Sequence, residues 1–123
     1  MEKKRSVLRD KSYQFAVRIV RLSQYLKQEK KEFDLNKQIL SSGTSIGALI
    51  REAEYAQSDA DFINKLSISL KEANETAFWL SLLKDTDYID EKMFNSLFAD
   101  CDEIISMLIS TVKTMKTKKT LSS

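Results

Sequence analysis

Apolar and small residues recur along this chain at alternating spacings of four and three. Phe15, Ile19, Leu22 and Leu26 open the pattern. It resumes with Leu35, Ile39, Ser42, Ile46, Leu49, Ala53 and Ala56. A third run reads Phe62, Leu66, Ser69, Ala73, Thr76, Leu80 and Leu83, and a fourth Phe94, Leu97, Cys101, Ile104, Leu108, Thr111 and Met115. Such spacing puts each run on one face of a helix. A heptad period over several turns implies neighbours that cross gently, near 20°. The pattern predicts helices over about 11–31, 35–57, 59–86 and 91–116, with 117–123 as a frayed tail. Four long helices with short links make an all-α, antiparallel up-down-up-down four-helix bundle in a single domain, 1–123.

Polar residues at the expected starts support these limits. Asp34 can accept the free N–H groups of the second helix, and Asp90 those of the fourth. Ser58 followed by Asp61 resembles a capping box at the start of the third. The weak point is SSGTSIG, residues 41–47, whose helix propensity is poor. The stripe runs through it unbroken, so helix is expected there, with small side chains admitting a neighbouring backbone.

Composition narrows the class. Gly occurs twice and Pro not at all in 123 residues, which excludes the turn-rich all-β folds. The chain is 42% hydrophobic and 31% charged, enough apolar content for a packed core. One cysteine permits no internal disulfide. The opening MEKKRSVLRDK is basic, but Arg18 and Arg21 interrupt the apolar stretch after it, unlike a secretory signal. No stretch approaches the ~20 apolar residues of a membrane span. A cytoplasmic protein without a membrane partner is the expectation.

Candidate chemistry is sparse. With no histidine, Ser-His-Asp and Cys-His catalysis and histidine-containing metal sites are excluded. Cys101 sits on the fourth stripe and reads as a small core residue. Glu72 with Glu75, and Glu52 with Glu54, could in principle hold a hard cation, but Arg51, Lys65 and Lys71 stand ready as ion-pair partners. The sequence has no Gly-rich phosphate loop. A protein that is not an enzyme, with no catalytic residues, cofactor or metal, is therefore expected.

Two surface features remain. Ile68, Phe78, Trp79 and Leu82 on the third helix, with Phe98 and Ile105 on the fourth, exceed what one core stripe needs. They mark a candidate homo-oligomer interface. Charge is also segregated. Residues 1–11 carry five basic and two acidic side chains, +3, and residues 113–123 carry four lysines and no acid, +4. The segment between them is −5. An up-down-up-down chain brings both ends to one pole. Lys3, Lys4, Arg5, Arg9 and Lys11 would then join Lys113, Lys116, Lys118 and Lys119 as a candidate nucleic-acid surface.

The strings SSGTSIGALIREA (41–53), SDADFINKLSISLKEANETAFWLSLL (58–83) and KSYQFAVRIV (11–20) resemble the bacterial four-helix-bundle family of 23S rRNA intervening-sequence proteins, also called S23 ribosomal proteins. The resemblance covers roughly residues 10–115. Family members are encoded within insertions in 23S rRNA genes and elsewhere, and no established activity comes with them. A similar bundle, the accessory protein of diversity-generating retroelements, forms a basic pentamer that works with RNA. The resemblance thus implies a homo-oligomer, a pentamer first, and a non-catalytic accessory role near structured RNA. The alternative is a protein–protein interaction scaffold with no nucleic-acid role. One departure is Leu49, which stands where the family often has Asn.

Overall fold

The computed structural model describes the backbone of residues 2–122 and the side chains of 3–118. Four helices follow one another: α1 (Glu2–Gln28), α2 (Asp34–Glu54), α3 (Asp59–Asp85) and α4 (Glu91–Ser122). α1 packs on α2, α2 on α3 and α3 on α4, and α4 closes back on α1 more loosely. This is the all-α four-helix bundle that the heptads predict. Helix runs unbroken through 41–47.

The inner positions form one contiguous core. On α3 every residue of the stripe is buried, from Phe62 to Leu83. On α4 all but the half-buried Phe94 are. α2 differs in register: Gly43 and Ile50 are buried, while Leu35, Leu49 and Ala56 are half-buried. A straight helix drifts by about 20° per heptad against a strict seven-residue repeat. α2 also touches both α1 and α3, so its buried arc straddles two neighbours.

The glycines serve the α1 contact. A Cβ on Gly43 would lie 2.8 Å from Ile19 Cγ1 and Cγ2, and one on Gly47 would lie 3.3 Å from the Ser12 carbonyl. Only a bare backbone fits against Ile19 at that distance.

The helix ends depart from the expected limits in several places; α1 and α2 each end three residues early, at Gln28 and Glu54. α1 starts at Glu2, not near residue 11, because Leu8 and Ser12 are buried and carry the stripe one heptad back from Phe15. α4 stays helical to Ser122, beyond the limit at 116, since its last turns contain neither Gly nor Pro. At α2, Asp34 is the first helical residue and not the cap; Glu32 Oε1 instead accepts from the Asn36 N–H at 2.9 Å. The other two caps are as expected. Ser58 Oγ accepts from the Asp61 N–H at 3.0 Å, and Asp90 Oδ1 from the Met93 N–H at 2.8 Å. Lys31 (φ 53°) and Asp87 (φ 66°) turn the chain out of α1 and α3 in the left-handed region.

Candidate nucleic-acid interface

The start of α1 and the end of α4 lie side by side. Lys4 Nζ donates to Ser110 Oγ, and Arg5 Nη2 approaches Met115 Sδ at 4.0 Å. Both basic segments therefore share one pole, where Lys3, Lys113, Lys116 and Lys118 are exposed. The Lys119 side chain lies outside the described residues.

Several of the nominated cations are engaged elsewhere. Arg5 turns inward: its guanidinium stacks 4.4 Å from the Phe62 ring centroid, and its Nε is buried without a hydrogen-bond partner among the described residues. Arg9 meets Asp10 at 3.5 Å and Glu54 at 3.6 Å. Lys11 meets Glu103 at 2.7 Å. That hydrogen bond and the carboxylate's charge hold the Lys11 ammonium pKa above its ordinary value. A lysine already facing a carboxylate adds little field at a distance, so the cationic surface is narrower than the sequence count.

The acidic candidates resolve into ion pairs and one strained couple. Glu52 pairs with Lys65 at 3.8 Å and Glu54 with Arg9. Glu72 is half-buried, and its carboxyl pKa is raised, by partial burial first and then by the Glu75 charge. Among the described residues no three of His, Cys, Asp and Glu gather as metal ligands. Cys101 is fully buried and donates to the Ala73 carbonyl at 3.3 Å. Burial, then Asp102 and Asp100, push its thiol up to about 12, which keeps it a neutral, unreactive core residue at physiological pH.

The nominated apolar residues do not form one patch. Phe78 is 60% exposed and Ile68 37%. Trp79 and Ile105 already pack partly against the core, and Phe98 stacks on Phe94 with ring centroids 5.0 Å apart. The heptad positions put Ile68 and Trp79 on the α2 flank of α3, whereas Phe98 and Ile105 lie on the flank of α4 that faces α3. A second apolar strip was missed in the sequence: Tyr13 (62% exposed), Val17 and Val20 on the outer face of α1. Its own spacing of four and three was the available signal. Among the described residues no helix is long and apolar enough to cross a membrane.

The family model described as 23S rRNA-intervening sequence protein matches residues 4–110. The chain belongs to that family. A crystal structure at 1.70 Å of a protein of unknown function from the S23 ribosomal protein family of Bacteroides thetaiotaomicron VPI-5482 is similar to it. The two are 60% identical, with a TM-score of 0.89, and the similarity covers 89% of this chain and 98% of the other. No curated protein matches. The family assignment thus carries the fold and its label, and the relative brings no activity with it.

Proposed function

We propose that this family member is a non-catalytic, homo-oligomeric accessory protein of the cytoplasm, pentameric by analogy, that meets structured RNA through its basic pole. The supporting observation is the junction of both chain ends, where Lys4 reaches Ser110 and Arg5 reaches Met115. Exposed lysines from two segments then act on the same phosphates, and repetition around an oligomer multiplies them. Contacts of this kind grip the backbone and carry little sequence preference.

The test titrates a labelled, structured RNA with intact protein and with the variant K113Q/K116Q/K118Q/K119Q at several salt concentrations. Intact protein is expected to bind at low salt with a steep salt dependence. The variant should bind more weakly, with a slope of log K on log salt shallower by about 0.9 for each phosphate it leaves unneutralised. Equal binding by the two would remove the basic pole from the function. The protein–protein scaffold is the second reading, and exposed Phe78 on α3 favours it. Retention of a protein partner that salt does not weaken would select it.

A further inference from the structure

α3 carries a second heptad stripe beside the inner one, on its α2 flank: Ile68, Glu72, Glu75, Trp79 and Leu82, spaced 4, 3, 4 and 3. It is apolar at both ends and acidic in the middle. Glu72, Trp79 and Leu82 are half-buried against their own bundle, whereas Ile68 and Glu75 are exposed, so the stripe keeps an open edge. Exposed Phe78 lies alongside, its ring edge-on to Trp79 at 5.0 Å.

The outer face between α1 and α2 has the opposite character. It is a groove of about 270 Å³, kept shallow by Ser12, Ala16, Gly47 and Ala48. Arg9 and Arg51 stand at one end of it and Tyr13 at the rim. Along α1 the groove continues toward exposed Val17 and Val20. Arg51 is exposed and has no ion-pair or hydrogen-bond partner among the described residues.

We propose that this ridge of α3 in one copy seats in the α1–α2 groove of the next, Glu72 and Glu75 against Arg51, and Trp79 and Leu82 against Tyr13, Val17 and Val20. This rests on the homo-oligomeric reading above and names its two faces. Charge complementarity selects a second copy as the occupant, for exposed Arg51 stands in the groove without an ion-pair partner among the described residues and exposed Glu75 stands on the ridge. The lengths agree as well. Glu72 to Leu82 on the ridge and Arg9 to Val20 along the groove each span about 15 Å at 1.5 Å per residue.

The register has a consequence for symmetry. The ridge would run parallel to α1 of its neighbour, and in an up-down-up-down bundle α3 already runs parallel to α1 of its own chain. Successive copies are then related by rotation about an axis along the bundle. Ridge and groove are different surfaces, so the contact is head-to-tail, and it gives a ring where the rotation between copies closes and an open filament where it does not. Every basic pole falls at the same end of that ring. Packing against the Arg51 guanidinium also offsets the Glu75 charge, which after partial burial is the second cause of the raised Glu72 pKa.

The experiment is sedimentation of the full chain over a concentration series, with circular dichroism melts as controls. Arg51 and Glu75 are both exposed, so the variants should retain the wild-type fold. Arg51→Glu and Glu75→Arg are each expected to weaken self-association at least about tenfold. The two mixed together should associate again, alternating along the assembly; a ring of five then keeps one mismatched contact, so recovery is expected to be partial. The double variant R51E/E75R should assemble with itself and not with wild type. If both single variants assemble as wild type does, the named faces are wrong while the oligomer stands. A wild-type chain that stays monomeric at all concentrations sinks the oligomer itself. Loss of binding of a single-stranded oligonucleotide in Arg51→Glu, with assembly unchanged, would make the groove a nucleic-acid site and overturn the proposal.

Discussion

The seam between α2 and α3 and the seam between α4 and α1 hold their helices together by different means. In the first, Ser69 donates to the Ile46 carbonyl and Thr76 to Ser42 Oγ, each at 2.9 Å and each inside the core. In the second, Lys11 meets Glu103 and Arg18 meets Asp100 on side chains 38–52% exposed. Arg18 also donates to Ser96 Oγ at 2.8 Å. A hydroxyl bonded inside a dry core stays satisfied and lets backbones come close. A surface ion pair stays wet and contributes about 0–1 kcal/mol. The bundle therefore resembles a layer of helices rolled up until its edges meet, with a dry middle and a wet closing edge.

The sharpest way to break that contrast is in the dry middle. Leu66→Ala or Leu80→Ala removes a side chain at most 1% exposed. Each should cost about 2–5 kcal/mol, read as a lowered midpoint in thermal or denaturant melts. A midpoint that does not move would show that the inner face of α3 is packed more loosely than its burial implies.

The next effect separates two glycines on one helix. Gly43→Ala drives a methyl against Ile19, a fully buried, β-branched residue with little room to swing. Overpacking of about 1–3 kcal/mol should exceed the gain in helix propensity, about 1 kcal/mol. Gly47→Ala meets the Ser12 carbonyl at a milder 3.3 Å and collects the same propensity gain, so it should be nearly neutral. Equal losses in the two melts would mean that α1 approaches α2 uniformly and not chiefly at Gly43.

The two seams were unequally legible in the sequence. The α3 stripe could be read in full because Ser69, Ala73 and Thr76 keep the heptad where apolar residues lapse, and all three are buried. Ser12 was harder. In the sequence the first stripe is evident from Phe15 onward, and only the buried Leu8 and Ser12 before it show that the stripe continues back. The ion pairs of the closing edge were illegible in principle. Arg18 with Asp100 and Lys11 with Glu103 join helices at opposite ends of the chain, and a heptad fixes which face looks inward but not which flanks meet. The same gap applies to the basic pole. Chain topology brings the two ends together, yet only the geometry shows Arg5 folded onto Phe62 and Arg9 held by Glu54.

The smallest expected effect lies at that closing edge. Arg18 Nη1 meets Asp100 Oδ2 at 2.6 Å, with side chains 38% and 47% exposed. A double-mutant cycle of Arg18→Ala, Asp100→Ala and the pair should give a coupling of about 0.2–1 kcal/mol at low salt. Arg18 also bonds Ser96, so its single substitution should cost more than that of Asp100. The coupling alone isolates the ion pair. Raising the salt to 1 M shortens the screening length to about 3 Å, so the coupling should fall toward zero. The hydrogen-bonded contacts of the α2–α3 seam carry no net charge and should barely respond. Hydrogen exchange supplies the spatial check: salt should speed exchange in α1 and α4 along their shared edge before it does so in α2 and α3. A coupling above about 2 kcal/mol that survives 1 M salt would mean the edge is effectively desolvated, and the distinction between a dry middle and a wet edge would fail.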